Sequence, residues 1–518
     1  MKKLTAITVL FCMILLSGCN RVPPEETAQQ SGISFTSMEE EPVLSYEVPV
    51  STPGILINQL GYITDSTKTV VFKGNEIPEL FCIIDAENGK TVFTGFPEEK
   101  GYDGEYDEYI GYGDFSELQV PGTYYIEAPV LGRSYQFTIG DSVYDTIFNE
   151  ACKQYYYNRC GMTLTEEYAK GKAHNACHTG KAVLREEISV SADVSGGWHQ
   201  DERGQKDVVA AAKAMSVMLL SYELYGNAFG DDTGIPESGN GIPDLLDEIK
   251  YEVEWMLKMQ NQETGAVYSG ITVYMQNGNN PVKTSGSYVE PATPEAESAF
   301  AMALAKFSYL YQDYDTEYAT DCLKAADRAW KHSQLHDDGK LDKWEFAAAA
   351  ELYRAAGQVS YHKYIADYLR DSDYQSQMDE IVLLGCVTYI ATKQPVTMEL
   401  CEDIMKMLMM YAEDIAENAR KSSYFTSGNT QQDNNNDMLL EMMYLTVVNH
   451  IISNHEYETI IENYLHYFLG RNSKAISYID NAGENNYERI DSSLGIMKQF
   501  DADSKLIFML SEIISKTQ

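Results

Sequence analysis

The segment "DVSGGWHQDERGQKDVV", residues 193–209, places an indole, an imidazole and several acidic side chains in a turn that leads into a helix. Its candidate carboxylates are Asp201, Glu202 and Asp207. A carboxylate in a groove can activate water as a general base when a second, protonated carboxyl group stands opposite. Acidic residues just before a helix also serve as N-terminal caps on a solvated face, and the local sequence by itself favours that interpretation.

Two cysteines and two histidines form a second candidate group: Cys160, the adjacent Cys177 and His178, and His199. Thiolate and imidazole are the ligands that Zn²⁺ prefers, and four of them with no open position describe a structural site. The long gaps between them are unlike those of a zinc finger, and His174 is a competing ligand. Spacing alone therefore favours buried cysteines and a surface histidine over a metal site.

A third group of charged side chains lies in "YFLGRNSKAISYIDNAGENNYERIDSS", and its members are Arg471, Asp480, Glu484, Glu488 and Asp491. The glycine, asparagine and serine content predicts a loop, and loops often carry functional sites. An acidic loop is more commonly only solvated. The sequence contains no Gly-x-Ser-x-Gly elbow, no Walker-type phosphate loop and no HExxH motif, which disfavours those hydrolase and nucleotide-binding classes.

The overall charge restricts the class of partner. A formal net charge of −39 repels nucleic acid and anionic membrane surfaces, because both are polyanions. This net charge does not oppose the binding of a neutral ligand. The 38 tyrosines suit an apolar, wet groove of the kind that binds sugars, although core packing is their more common use.

The N-terminus reads "MKKLTAITVLFCMILLSGCN", with two lysines followed by an apolar run that is too short to span a bilayer. The ending Leu-Ser-Gly-Cys resembles a bacterial lipobox. It predicts a signal peptide at 1–18, lipidation of Cys19 and a lipid-anchored protein on the extracellular face of a bacterial membrane. Residues 19–48 are then a disordered acidic tether. The other cysteines are too irregularly spaced to form a disulfide framework.

The rest of the chain divides into a β part and a helical part. Residues 49–140 alternate short β-branched or aromatic segments with turn pairs such as Asn88-Gly89, which predicts a small antiparallel sandwich. From 141 to 518 the pattern is that of long amphipathic helices, as in "PDLLDEIKYEVEWMLKMQ". So many helices in one domain favour an α/α barrel. Further helices are predicted at 207–225, 295–312, 316–331, 344–356, 375–392, 396–419, 436–453, 457–469 and 498–516.

Several of these strings are similar to a known family over residues 52–516. "ILINQLGY" and "PGTYYIEAPVLGRSYQFTIG" resemble the immunoglobulin-like N-terminal module of family 9 glycoside hydrolases. "YYYNRCG", "AHNACHTGKA", "DVSGGWH", "GIPESGNGIPDLLDEIKYEVEWMLKMQ", "FAAAAELYRAAG" and "YFLGRN" are similar, in order, to that family's (α/α)6 barrel. The resemblance implies a mainly α protein, with the barrel preceded by an immunoglobulin-like β-sandwich.

The resemblance also implies a function and its residues. The family hydrolyses β-1,4-glucan, such as cellulose or a related plant-type polysaccharide, with inversion and in an aromatic-lined cleft. Several members hold a structural zinc, whose ligands here would be Cys160, Cys177, His178 and His199. Bound calcium is common in the family, but its ligands cannot be placed in this sequence. We expect Trp198, Asp207, Arg471 and Tyr487 to contact the substrate.

The catalytic motifs depart from the family pattern. Where the family has Asp-Ala-Gly-Asp to hold and deprotonate water, this chain has Gln200, Asp201, Glu202 and Arg203. The family's His-His-Arg loop is absent, and the glutamate position of its acid motif falls on Tyr487, one residue before Glu488.

Three hypotheses remain open. One is a hydrolase with a rebuilt pair, in which Asp201 or Glu202 is the base and Glu488 or Glu484 the acid. The second is a catalytically inactive glycan-binding surface lipoprotein on the same scaffold, and the third is a lipoprotein that binds a protein partner.

Overall fold

The computed structural model describes residues 46–49, 52–275, 285–336, 340–376, 379–427, 435–480, 482–483, 485 and 495–517. Ten strands lie between residues 55 and 139, and they form two packed sheets. These strands are β1 Ile55–Leu56, β2 Gly61–Tyr62, β3 Thr69–Gly74, β4 Phe81–Asp85, β5 Thr91–Gly95, β6 Glu98–Asp103, β7 Glu108–Asp114, β8 Gly122–Ala128, β9 Gly132–Arg133 and β10 Phe137–Ile139.

One sheet has the order β1-β3-β7-β6, and the other has the order β2-β10-β8-β4-β5 with β9 paired to β8. All pairs except β2 with β10 are antiparallel. In β3, Val70, Val71 and Phe72 are all fully buried, so both faces of that strand are covered. The predicted antiparallel sandwich is confirmed.

The rest of the described chain is mainly helical. The α-helices are α1 Asp145–Tyr157, α2 Glu166–Ala169, α3 Val208–Tyr225, α4 Asp244–Lys258, α5 Pro294–Tyr311, α6 Thr316–Ser333, α7 Lys343–Ala356, α8 Val359–Asp371, α9 Glu380–Ala391, α10 Met398–Lys421, α11 Asn435–Ile452, α12 His455–Phe468 and α13 Phe500–Ser515. Short 3₁₀ turns occur at Lys170–Lys172, Gly226–Ala228, Gln334–His336 and Tyr374–Ser376.

Six helices form a closed inner ring in which each packs against the next: α3, α5, α7, α9, α11 and α13, with α13 returning to α3. Six others, α1, α4, α6, α8, α10 and α12, lie outside this ring. Alanine-rich inner sequences such as "FAAAAELY" in α7 are buried on nearly every side, which permits close helix approach. The predicted (α/α)6 barrel is confirmed.

Two elements differ from expectation. The helix at Val359–Asp371 was not predicted; two of its five buried residues are tyrosines, and charged residues stand between its buried positions. A five-stranded sheet in the order β12-β11-β15-β14-β13 was also not predicted. Its strands are β11 Ala182–Leu184, β12 Ser191–Ala192, β13 Lys206–Asp207, β14 Gly270–Met275 and β15 Ser285–Val289. Two of its pairings, β11 with β15 and β13 with β14, join segments far apart in sequence, which local patterns do not reveal.

One stretch, Val208–Ala228, has the length and apolar composition of a membrane span, with a mean hydropathy of 1.3. In the described chain, 67% of the 18-residue apolar window within this stretch is buried. The barrel ring accounts for this burial, since α3 packs between α5 and α13.

Candidate functional site

The four predicted metal-binding side chains converge. The ligand atoms of Cys160, Cys177, His178 and His199 all lie within 4.8 Å of one another. Cys160 is fully buried and the other three are half-buried. Among the described residues this is the one convergent group of metal-binding type, and His174 is not part of it.

Main-chain hydrogen bonds bring these ligands together from distant parts of the chain. The Cys160 amide donates to the carbonyl of Gly197 at 2.7 Å, and the His199 amide donates to the carbonyl of Asn158 at 2.8 Å. The Gly161 amide donates to the carbonyl of Cys177 at 3.1 Å. The segment after α1 is therefore tied to both ligand-bearing loops, and the tertiary fold brings together ligands that the sequence spacing leaves apart.

Three of the distances between ligand atoms match those expected for a tetrahedral zinc. The Cys160 Sγ to His178 Nδ1 distance is 3.7 Å, Cys177 Sγ to His199 Nε2 is 3.5 Å, and His178 Nδ1 to His199 Nε2 is 3.2 Å. A tetrahedron with usual Zn–S and Zn–N bond lengths has S–N edges of about 3.6 Å and N–N edges of about 3.3 Å. A hydrogen bond with Cys160 holds the pKa of Cys177 well below its usual range, and the two histidines add to this effect.

Trp198 does not line a groove, and its predicted substrate contact is wrong. Its side chain is fully buried, and the indole Nε1 donates to Glu248 Oε1 at 2.7 Å. The same carboxylate is paired with buried Arg159 at 3.0 Å. The ring packs against Tyr155, with centroids 4.8 Å apart. Trp198 thus belongs to a buried polar network next to the cluster of Cys160, Cys177, His178 and His199 (the Cys/His cluster), where no substrate can reach it.

The acidic turn after His199 is closed by its own hydrogen bonds. Asp201 Oδ1 accepts from the amides of Arg203 and Gln205 at 3.0 and 2.9 Å, and Asp201 Oδ2 accepts from Gln205 Nε2 at 3.0 Å. Glu202 is exposed. The imidazole of His178 packs on Gly204, whose φ of +81° only glycine adopts easily. The Cys/His cluster and this turn are therefore in direct contact.

Asp207 is the N-cap of α3, where its carboxylate accepts from the amide of Ala210 at 2.9 Å. This contact matches the capping interpretation of the acidic segment. The side chain is exposed at the end of the barrel where the inner helix begins. A cap can also face a ligand, so its predicted substrate contact stays a prediction.

A charged network that the sequence did not predict crosses the barrel axis near the same end. Lys213 of α3 lies 2.9 Å from Glu380 of α9 and 3.0 Å from Asp501 of α13. Lys505 of α13 lies 2.8 Å from Glu380 and 2.7 Å from Asp501. Burial raises the pKa of Glu380, whereas for Asp501 the two lysines outweigh burial and lower it. The signal in the sequence was a lysine inside each of two apolar helices.

Arg471 also lies away from any substrate groove, so its predicted substrate contact is wrong. Its side chain is fully buried at the junction of the sandwich and the barrel. It donates to Asn463 Oδ1 at 2.7 Å, and its guanidinium lies 5.0 Å from the ring centre of Phe425. Beside it, Asn58 of the sandwich contacts His466 Nδ1 at 3.0 Å. Burial lowers the pKa of Arg471 to about 10.

Several predicted residues lie outside the described part of the chain: Cys19, Glu484, Tyr487, Glu488 and Asp491. The distance from the predicted acid, Glu488 or Glu484, to the turn at 200–205 is therefore not defined by the described residues. Asp480 is described, and its charge helps to raise the pKa of the buried carboxyl of Asp503, for which burial is the larger cause.

Residues 144–504 match the profile of Glycosyl hydrolase family 9, and residues 50–133 match that of the Cellulase N-terminal ig-like domain. Endoglucanase D of Acetivibrio thermocellus is 27% identical over 463 residues, which cover 83% of this chain and 73% of that protein. Cellodextrinase of Butyrivibrio fibrisolvens is 28% identical over 481 residues, covering 83% of this chain and 85% of that protein.

Two solved structures have the same fold. A metagenome-derived glycoside hydrolase family 9 endoglucanase superposes with a TM-score of 0.79 and 24% identity, covering 89% of this chain and 99% of that chain. A Zn-binding triple mutant of GH family 9 endoglucanase J30 superposes with a TM-score of 0.77 and 22% identity, covering 87% and 99%.

Proposed function

The chain belongs to glycosyl hydrolase family 9, and from that premise we propose that it binds a β-1,4-glucan at the end of the barrel where the inner helices begin. The names of its relatives, an endoglucanase and a cellodextrinase, support a β-glucan ligand such as cellulose or a related plant-type polysaccharide. Asp207, Asp201 and Glu202 are exposed at this end, and Lys213 and Asp501 are partly exposed there. Polar groups there can bind sugar hydroxyls.

We further propose that this chain still binds glucan but has lost most of the hydrolytic activity of the family. The observation that carries this is the turn at 200–205. The amide of Gln200 stands at the first water-activating position, and the cation of Arg203 stands at the second. The carboxylate of Asp201 is already occupied by three donors of its own turn. Loss of a positioned base typically slows a reaction by about 10²–10⁴-fold.

Hydrolysis through a rebuilt pair is the second candidate function. It is favoured by the exposure of Asp201 and Glu202 at the barrel end, where either could act as base with Glu488 as acid. Glu488→Gln then abolishes turnover, and so does one of Asp201→Asn and Glu202→Gln, whichever changes the base. Each variant should leave glucan affinity within about threefold, because it keeps the shape of the side chain.

One experiment separates the two candidates. Binding of cellohexaose to the mature chain is measured by calorimetry, and release of reducing sugar is measured on a panel of cellulose, mixed-linkage glucan and xyloglucan. We expect binding with little or no turnover. Rapid turnover that Glu488→Gln removes would establish the rebuilt pair instead. If no glucan binds and none is cleaved, the proposed glucan function is wrong.

We propose that Cys160, Cys177, His178 and His199 hold a structural zinc. The convergence of their ligand atoms within 4.8 Å supports this, and a structure of the same fold is described as Zn-binding. Such a metal would cross-link the two loops and stabilise the fold. Elemental analysis should find one zinc per chain, lost in Cys177→Ser and kept in Cys82→Ser, which changes a cysteine of the sandwich away from the cluster. Calcium stays a prediction, which the same elemental analysis tests.

We propose that the protein is anchored to the extracellular face of a bacterial membrane through a lipid on Cys19. The lipobox-like ending of the N-terminal apolar run supports this. In a bacterial host the wild type should fractionate with membranes and incorporate labelled palmitate. Cys19→Ala should do neither, and its lipid labelling at wild-type level would refute the anchor.

A further inference from the structure

We infer that Lys206 is a positioning residue of the Cys/His cluster, holding the sulfur of Cys160 and the loop that carries His199 in one arrangement. This inference rests on the zinc site proposed above. Lys206 opens β13 and is 3% exposed. A lysine so deeply buried requires partners for its ammonium group.

The three hydrogen-bond acceptors of Lys206 all belong to the Cys/His cluster and the loop that carries His199. Its Nζ donates to the carbonyl of Gly196 at 2.6 Å and to that of Val194 at 3.0 Å, and it lies 3.8 Å from Cys160 Sγ. These three acceptors match the three N–H groups of an ammonium. The same Nζ lies 5.0 Å from the ring centre of Trp255. No acceptor in this set belongs to the barrel axis or to the exposed turn.

This contact joins two ligands that lie far apart in sequence. Cys160 follows α1, whereas His199 ends the Gly196-Gly197-Trp198-His199 segment. Lys206 binds the sulfur of the first and a carbonyl at the start of the second. A zinc ion with two thiolates and two neutral imidazoles carries no net charge, and a cationic donor stabilises the thiolate it contacts. Partners of this kind orient ligands and usually change metal affinity by about 10–100-fold.

Lys258 provides a matched comparison. Its Nζ donates to the carbonyl of Ser195 at 2.7 Å, within the same loop. Unlike Lys206, its side chain is exposed, and its acceptor is a main-chain carbonyl and not a cysteine sulfur. Lys206→Met therefore removes the ammonium that contacts the sulfur, and Lys258→Met removes one that supports only the loop. The two variants separate the thiolate contact from loop tethering.

The test is the zinc dissociation constant of the mature chain, measured by competition with a chromogenic chelator. Lys206→Met should bind zinc about 10–100-fold more weakly, and Lys258→Met should stay within about threefold of wild type. With cobalt(II) in place of zinc, the thiolate-to-cobalt absorption band should shift in Lys206→Met and not in Lys258→Met. A purely structural role would leave that band in place.

The outcomes are distinct. A wild-type chain that binds no zinc refutes the zinc site itself. A wild type that binds zinc, with Lys206→Met of unchanged affinity and band position, overturns the inference while the zinc site stands. If Lys206→Met does not fold, Lys206→Arg keeps the cation and should retain zinc affinity within about threefold. If that variant also fails to fold, or folds and binds zinc weakly, the inference is overturned.

Discussion

The side chain of Gln200 and the main chain of Asp207 are hydrogen-bonded in both directions. Gln200 Nε2 donates to the carbonyl of Asp207 at 2.8 Å, and Gln200 Oε1 accepts from the amide of Asp207 at 2.9 Å. Only a side-chain amide supplies both a donor and an acceptor here, because a carboxylate is an acceptor only. Gln200 therefore closes the turn onto the N-terminus of α3.

Gln200→Asp, which installs the residue that the family resemblance implies at this position, should lower the free energy of unfolding by about 1 kcal/mol. The aspartate loses the donor and sets a carboxylate against the carbonyl of Asp207. Denaturant unfolding at neutral pH measures the change. Glu202→Gln is the control, since Glu202 is exposed in the same turn and should change stability by less than about 0.5 kcal/mol. Equal stability of wild type and Gln200→Asp would contradict a structural role for Gln200.

Gly204→Ala should weaken both stability and zinc binding. A Cβ at Gly204 would lie 2.4 Å from Cε1 of His178, and the φ of +81° adds strain of about 1 kcal/mol or more. Relief of the contact displaces a proposed zinc ligand. Gly132→Ala isolates the backbone strain, because Gly132 has a φ of +79° and no atom within 4 Å of its Cβ position. Chelator competition should show weaker zinc binding only for Gly204→Ala; unchanged zinc affinity would show that the contact does not position His178.

Trp198→Phe should lower stability without changing glucan affinity in the folded protein. It removes the hydrogen bond to the buried carboxylate of Glu248, worth about 1.5–3 kcal/mol, in addition to the lost ring volume. Trp330→Phe is the control, since Trp330 is also buried and its Nε1 has no hydrogen-bond partner in the described chain. The difference in unfolding free energy between the two variants measures the bond. A selective loss of cellohexaose affinity in Trp198→Phe would restore the groove-wall interpretation.

The carboxyl of Glu462 should make the protein less stable as the pH rises. Burial, with the nearby charges of Glu512 and Glu458, raises its pKa to about 7, and Lys516 opposes this. Between about pH 4.5 and 7 the folded chain holds a proton that the unfolded chain has lost, so the free energy of unfolding falls by up to about 3 kcal/mol.

Unfolding by denaturant at pH 5 and pH 8 tests this, with Glu462→Gln as the variant. The difference between the two pH values should shrink in Glu462→Gln. The exposed Glu399→Gln should leave it unchanged. A pH dependence that is identical in wild type and Glu462→Gln would refute the assignment to this carboxyl.

Much of this protein followed from its sequence. Alternation with turn pairs predicted the sandwich, and helical periodicity predicted most of the barrel, because these patterns report local burial. The helix at Val359–Asp371 was not predicted, because it is short and charged residues and tyrosines interrupt its few aliphatic positions. Residue type made Cys160, Cys177, His178 and His199 candidate ligands, but their spacing alone favoured no metal site, and the family resemblance was what predicted one.

The tertiary structure decided which of the candidate residues share a site. Trp198 and Arg471 looked like groove residues by type, yet both are fully buried. Lys206, Lys213 and Lys505 carried no motif, and only packing between distant segments gave each its partners. A sequence pattern reports which side of an element is buried, whereas the partner of a buried polar group depends on how distant elements pack, and that information is not local.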